Sequence, residues 1–88
     1  MKELVARTFQ NVQAPGAPNA YKALRDDLAL GNPQTEIGVP TDGGWGAAVV
    51  RGWPCGCVLV RRVNHQGRMS DEVFVCEGHK SEFEARMA

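Results

Sequence analysis

Three cysteines and one histidine lie in two short clusters, and this pattern constrains the chain more than any other feature. Cys55 and Cys57 form the first cluster, and Cys76 and His79 form the second. Thiolate sulfur and neutral imidazole nitrogen are ligands that Zn²⁺ prefers, and three cysteines with one histidine are a known set for a four-coordinate structural site. The pattern therefore predicts one structural zinc ion bound by these four residues.

The segment between the two clusters has the pattern of a β-hairpin. Eighteen residues separate Cys57 from Cys76. Residues 58–60 and 73–75 are apolar and mostly β-branched, which is typical of strands, and residues 64–67 include turn-forming Asn and Gly. Because a hairpin brings its two ends together, we expect both ligand pairs to meet at its open end.

The residues after His79 predict a short terminal helix, because residues 80–88 include good helix formers with Phe83 and Met87 four positions apart. A ligand pair, a hairpin and a second ligand pair at the start of a helix resemble a treble-clef zinc finger over residues 53–88. This resemblance implies one structural zinc ion on the same four residues. A zinc ribbon with two ligand turns fits the same residues, so both architectures remain open.

The cysteines also permit states without a metal. Cys76 can form a disulfide with Cys55 or Cys57, or all three thiols can remain without a ligand. An odd number of cysteines argues against a complete disulfide framework, and residues 1–7 lack the uninterrupted apolar core of a signal peptide. A reducing, cytoplasmic compartment is therefore expected. His65, at the predicted hairpin tip, is the rival fourth ligand.

The chain of 88 residues is expected to form a single small zinc-stabilised domain of the α+β class. We predict a small antiparallel sheet of three to four strands, one covering helix and a C-terminal treble-clef-like zinc site. Along the chain these are a strand in residues 1–12, a helix in 19–30, a loop in 31–46, and the sheet and zinc site in 47–88. So short a chain has a small core, and the metal should contribute to folding.

Composition bears on the class of function. The ten basic and ten acidic residues cancel, and the basic residues form no stripe, so nucleic acid is possible but not favoured as a partner. No apolar run approaches the roughly 20 residues that span a bilayer, so no membrane association is expected. Four protein ligands leave a zinc ion without an open position, and no nucleophile lies beside a recognisable base, so the chain is not expected to be an enzyme.

The expected function is therefore that of a non-enzymatic protein-binding module, such as a small regulator or inhibitor that acts on another protein. The candidate partner-binding residues are Trp45, Trp53, Arg61 and Arg62. The alternative role for the tryptophans is in the core or as a lid over the metal. A nucleic-acid-binding zinc finger is the alternative function, and a small enzyme ranks last.

Overall fold

The structure is a computed structural model that describes residues 5–13, 15–17, 19–40, 45–64 and 66–87, which form an α+β fold. The strands are β1 (Val5–Gln10), β2 (Thr35–Val39), β3 (Trp45–Gly52), β4 (Val58–Asn64) and β5 (Met69–Val75). The helical segments are α1 (Ala20–Lys22), which continues as π-helical turns (Ala23–Asp27), and α2 (Lys80–Met87), which follows a 3₁₀ turn (Glu77–His79). Within these ranges no helix is long and apolar enough to cross a membrane.

The strands form one antiparallel sheet in the order β1-β5-β4-β3-β2. Strands β2 to β5 are neighbours in the sheet in the same order as in the chain, while β1 pairs with β5 at the far side. In the register of β4 and β5, Val58 lies opposite Phe74. The turn that precedes β4 and the turn that follows β5 are therefore at the same end of the sheet.

The helical segments cover one face of the sheet. Phe9, Leu59 and Val73 belong to three neighbouring strands, and they are buried in one cluster with Leu24 and Phe83 from the two helical segments. The rings of Phe9 and Phe83 meet edge to face with their centroids 6.4 Å apart. The core therefore lies between this face and the helices.

The opposite face of the sheet, which we call the outer face, takes no part in this core. Its larger apolar side chains are those of Ile37, Val39, Val50, Val58, Val60 and Phe74. Ile37 and Val39 are 57% and 41% exposed, and the other four are half-buried. None of the six belongs to the hydrophobic core or packs against it. The sheet thus buries apolar side chains on one face and presents others on the second.

The sheet has five strands, more than the three to four expected, and β2 lies within residues 31–46, which were predicted to be a loop. All five residues of β2 are exposed, and the short alternation of Ile37 and Val39 lies among Pro33, Gly38 and Pro40, which favour a loop. Backbone pairing with β3 holds it, together with an ion pair in which Arg51 Nε lies 2.7 Å from Glu36 Oε2. Residues 41–44 of the expected loop lie outside the described residues.

The helix predicted over residues 19–30 begins where expected but is shorter and changes its geometry. The side chain of Asn19 caps it, because Asn19 Oδ1 accepts a hydrogen bond of 3.0 Å from the amide of Lys22. From Ala23 the turns widen, and the Leu28 amide donates to the Ala23 carbonyl five residues earlier at 2.8 Å. Ala29 has a φ of 57°, which is incompatible with a continuing right-handed helix.

Candidate metal centre

The first two cysteines lie in the tight turn between β3 and β4. The amide of Gly56 donates to the carbonyl of Trp53, and the amide of Trp53 donates to the carbonyl of Cys57, both at 3.0 Å. Gly56 has a φ of 104°, in a region that side chains rarely adopt, so glycine is the residue that suits this turn. The turn has Cys55 and Cys57 on either side of a single glycine, and both sulfurs lie near the end of β5.

The other two residues of the cluster lie in the turn that joins β5 to α2. Cys76 has an extended backbone, and the amide of His79 donates to its carbonyl at 3.0 Å. This bond closes the 3₁₀ turn of Glu77–His79, and α2 begins at the next residue. The second turn therefore places the sulfur of Cys76 and the imidazole of His79 immediately before α2.

Pairing of β4 with β5 brings the two turns together into one cluster. The ligand atoms of Cys55, Cys57, Cys76 and His79 all lie within 4.8 Å of one another. The Sγ atoms of Cys57 and Cys76 are 3.7 Å apart, and the Cys76 amide donates to Cys57 Sγ at 3.5 Å. The three cysteines are free thiols, with no disulfide among them. All four residues predicted as ligands are therefore close enough to hold one metal ion.

The spacing of the donors fits a tetrahedral ion. With zinc–sulfur bonds of about 2.3 Å, a tetrahedral site places its sulfurs about 3.8 Å apart, and a sulfur and a nitrogen about 3.5 Å apart. The 3.7 Å between Cys57 and Cys76 meets the first value. Nδ1 of His79 lies 3.8 Å from Cys57 Sγ and 3.0 Å from Cys76 Sγ, one distance on each side of the second value.

The two buried thiols of the cluster, those of Cys57 and Cys76, differ in pKa. Burial raises the pKa of the Cys57 thiol to about 12. Burial also raises the pKa of the Cys76 thiol, but hydrogen bonds with His79 and Cys57 lower it by more, to about 7. A metal ion that binds both sulfurs near neutral pH therefore displaces a proton from Cys57.

The cluster is closed on the protein side and reachable from solvent on the other. Cys57 and Cys76 are buried and belong to the hydrophobic core, whereas Cys55 and His79 are half-buried. A surface depression is lined by Cys55 and by the whole second turn, from Cys76 to His79. An ion can therefore enter from the surface while two of its ligands are anchored in the core.

Of the two tryptophans expected to contact a partner, the structure describes the side chain of Trp53. Trp53 is 4% exposed, and its indole N–H donates to the carbonyl of Gly31 at 2.9 Å. Its ring packs against Tyr21 with the centroids 6.3 Å apart. Trp53 thus occupies the core, as the alternative interpretation proposed, and offers almost no surface to a partner. The side chain of Trp45 lies outside the described part of the structure.

The two arginines expected to contact a partner are each paired with a carboxylate on β5. Arg61 donates two hydrogen bonds to Asp71, from Nε at 2.8 Å and from Nη2 at 3.0 Å, and Asp71 is fully buried. The hydrogen bond with Asp71 raises the pKa of Arg61 further. Arg62 lies on the outer face with its Nη1 3.7 Å from a carboxylate oxygen of Glu72. Neither guanidinium is left without a counter-charge.

Two residues that shape these sites were not singled out from the sequence. Asp71 resembles a solvent-facing strand residue, and the only signal was that Arg61 has the spacing to lie opposite it in a hairpin. Gly56 could have been noticed as the single residue between two ligands, where a tight turn favours glycine. Both belong to the framework that holds the cluster and the sheet.

The metal ligands predicted from the sequence thus form one cluster, and the rival ligand His65 lies outside the described residues. No protein-family model matches this chain, and no curated protein or solved structure matches it either.

Proposed function

We propose that Cys55, Cys57, Cys76 and His79 bind one structural zinc ion, and that the chain is a non-enzymatic protein-binding module stabilised by that ion. The observation that carries this proposal is the convergence of three sulfurs and one imidazole nitrogen within 4.8 Å. Three thiolates with one imidazole select a thiophilic ion over magnesium or calcium, which prefer oxygen ligands. Zinc is the ion that most often occupies such a tetrahedral site.

The arrangement around the cluster supports a treble-clef-like interpretation more than a zinc ribbon. One ligand pair lies in the turn before β4, the β4–β5 hairpin follows, and the second pair lies directly before α2. A ribbon would place its second pair in another turn between strands, whereas here a helix begins at Lys80. The Cys-x-Cys spacing of the first pair is shorter than the usual Cys-x-x-Cys of treble clefs.

A structural role is favoured over a catalytic one because of the number of protein ligands. Catalytic zinc ions keep one position for water or substrate, whereas four protein ligands complete the tetrahedron. Two of the four ligands are buried in the hydrophobic core, so the ion would tie the β3–β4 turn to the start of α2. In this role the zinc would stabilise the surfaces around it, including the outer face.

A protein partner is favoured over nucleic acid for two reasons. Arg61 and Arg62 are already paired with Asp71 and Glu72, so contact with phosphate would have to break these pairs. The outer face, by contrast, presents six apolar side chains that the core does not use. An apolar face that the described residues leave uncovered is typical of protein-interaction surfaces, and a regulator or inhibitor would act through it.

The zinc site can be tested by metal analysis and ligand replacement. Freshly reduced protein is expected to contain about one zinc ion per chain, as for a closed four-ligand site. Cobalt(II) in its place should show the visible absorption of a tetrahedral ion with thiolate ligands. Replacement of Cys76 with serine should remove most of the bound metal, since it removes a buried ligand.

His65→Ala is the matched control, because His65 was the rival ligand in the sequence. It should leave zinc content and the cobalt spectrum unchanged. Absence of metal from freshly reduced protein would refute the zinc site. A loss of metal in His65→Ala equal to that in Cys76→Ser would move the fourth ligand from His79 to His65.

A further inference from the structure

The three sulfurs of the metal cluster differ in how far solvent reaches them. Cys57 is fully buried and Cys76 is 5% exposed, whereas Cys55 is half-buried. Among the described residues, the surface depression beside the cluster is lined by Cys55 and Cys76 but not by Cys57. A sulfur that binds zinc is a thiolate, which is the form of cysteine that reacts with oxidants. A small oxidant that enters the depression therefore meets the sulfur of Cys55 first.

Cys76 is the second sulfur within reach of such an oxidant's product. A nearby thiol decides what an oxidised cysteine becomes, because it converts a sulfenic acid into a disulfide. The Sγ atoms of Cys55 and Cys76 are no more than 4.8 Å apart, and both residues line the same depression. The two turns that carry them are in contact, since a Cβ atom on Gly56 would lie 3.9 Å from Cβ of Cys76. Cys76 can therefore attack an oxidised Cys55.

Cys57 is less suited to either step. Only Gly56 separates it from Cys55, so a disulfide between these two cysteines would close over a single residue, and departures from the preferred disulfide geometry store strain. Cys57 and Cys76 are closer, with their Sγ atoms 3.7 Å apart, but the oxidant reaches neither of them before Cys55. Cys57 Sγ also accepts the amide of Cys76 and lies in the hydrophobic core. Cys57 therefore stays a thiol while the other two sulfurs are joined.

We propose that the metal cluster is a redox-sensitive switch, in which a hydroperoxide oxidises the zinc-bound thiolate of Cys55 and Cys76 then forms a disulfide with it, so that the ion is released. The inference rests on the zinc site of the proposed function and concerns the regulation of that site. Cys55 is the modified residue, Cys76 resolves the modification, and the peroxide is the oxidant.

The reaction balances with hydrogen peroxide as the oxidant. The thiolate of Cys55 attacks the peroxide, so that an S–O bond forms, the O–O bond breaks and hydroxide leaves. The thiolate of Cys76 attacks the sulfur of this sulfenic acid, so that the S–S bond forms, the S–O bond breaks and a second hydroxide leaves. The two sulfurs lose two electrons, and the peroxide gains them and takes up two protons to give two molecules of water. Zinc keeps its charge and leaves, because only Cys57 and His79 remain as ligands.

The switch changes how α2 is attached to the sheet. The zinc ion joins both turns to His79, which lies directly before α2. The disulfide keeps the two turns joined through Cys55 and Cys76, but His79 loses its bond to the cluster. The helix is then held through its other contacts, such as the packing of Phe83 in the core. Oxidation therefore loosens the start of α2 and leaves the β3–β4 turn in place.

The test treats zinc-loaded protein with hydrogen peroxide and follows zinc release with a chromophoric chelator, beside a sample without peroxide. Alkylation and tryptic digestion then locate the disulfide, because Cys55 and Cys57 fall in the peptide of residues 52–61 and Cys76 in that of 69–80. Fragmentation should find Cys57 alkylated and Cys55 linked to Cys76. A thiol reductant with added zinc should restore the metal content. Any other disulfide, or release of zinc without a disulfide, would overturn the inference.

Cys55→His is the matched variant, because it keeps four zinc ligands and removes the sulfur that the oxidant meets first. It should retain zinc and release it at least about 10-fold more slowly under the same peroxide, since its two remaining thiolates are buried. Release at the wild-type rate would contradict the assignment of Cys55. If the variant fails to bind zinc, the disulfide map of the wild-type protein decides by itself.

Zinc content is measured before the peroxide is added, which separates the switch from the site on which it rests. Reduced protein that holds zinc and keeps it under peroxide refutes the switch alone. Reduced protein that holds no zinc refutes the zinc site, and the switch with it. Amide exchange of the oxidised protein provides a further readout, and it should accelerate at the start of α2 while the turn of Trp53–Cys57 stays protected.

Discussion

Gly56 is the residue on which the geometry of the first ligand pair depends. Its φ of 104° lets the chain reverse within the span from Cys55 to Cys57. The position also faces the second pair, since a Cβ atom there would lie 3.9 Å from Cβ of Cys76. Space is therefore sufficient for a methyl group, and the backbone conformation is what excludes one.

Gly56→Ala should accordingly destabilise the zinc-loaded protein by about 1–3 kcal/mol, the usual cost of a non-glycine residue in such a conformation. Urea unfolding followed by circular dichroism measures this cost. Gly78→Ala is the control, because Gly78 lies in the other ligand turn without a positive φ, and an added Cβ there meets no atom within 4 Å. Equal losses in both variants would show that crowding of the cluster, and not the backbone of Gly56, limits the site.

At the residue scale, the ligand set was predictable because its residue types are rare and chemically distinct. Only three cysteines and two histidines occur in the chain, and coordination chemistry restricts how they can be combined. Asp71 was not predictable, because aspartate in a strand normally faces solvent and only the register of β4 and β5 shows that it meets Arg61. Burial of Trp53 was likewise among the alternatives, but sequence alone could not select it.

At the element scale, the hairpin, the start of the first helical segment and the terminal helix followed from local pattern. The strand β2 did not, because prolines and a glycine interrupt its short alternation, and pairing with β3 and the Arg51–Glu36 ion pair hold it in place. The π-helical turns of Ala23–Asp27 also could not be predicted, because ordinary helical periodicity assumes α-helical turns. Both features depend on tertiary pairing and packing that a sequence window of a few residues does not contain.

The helix α2 is attached to the rest of the fold by three sets of contacts. At its start, His79 belongs to the metal cluster, and in its middle the fully buried Phe83 packs on Phe9. A salt bridge between Arg7 and Glu84 joins it to β1 as well. A helix of eight residues is marginal by itself, so its order depends on these attachments.

Phe83→Ala should therefore cost about 3–5 kcal/mol, as is usual when a buried aromatic residue is truncated. Amide exchange should accelerate throughout α2, while the turn of Trp53–Cys57 stays protected because its ligands remain in place. Glu82→Ala, at an exposed position of the same helix, serves as the control and should leave exchange unchanged. Retained protection of α2 in Phe83→Ala would mean that the metal cluster alone holds the helix.

At the scale of the whole molecule, the metal cluster and the helical core are one unit. Cys57 and Cys76 are counted both among the ligands and among the buried core residues. A chain of 88 residues buries only a modest apolar area, so the energy of metal binding proposed for this cluster would be a substantial part of its stability.

Removal of the metal with a chelator should lower the melting temperature by at least about 10 °C, since a loss of 1 kcal/mol corresponds to roughly 4–8 °C in a domain of this size. Differential scanning calorimetry of reduced protein, with and without chelator, measures the shift. Re-addition of zinc should restore the original temperature, which separates metal loss from oxidation of the thiols. An unchanged melting temperature would show that the ion is incidental to the fold.

The pairing of β1 with β5 imposes an order on the assembly of the molecule. Val5 and Val75 are partners in the sheet although almost the whole chain lies between them, whereas β4 and β5 are joined by a short turn. Closing a long loop costs more entropy than closing a short one, so contacts between distant segments form after local ones. The β4–β5 hairpin alone brings the two turns of the cluster together, so under the proposed zinc site a growing or refolding chain would bind the ion before the first strand has been added to the sheet.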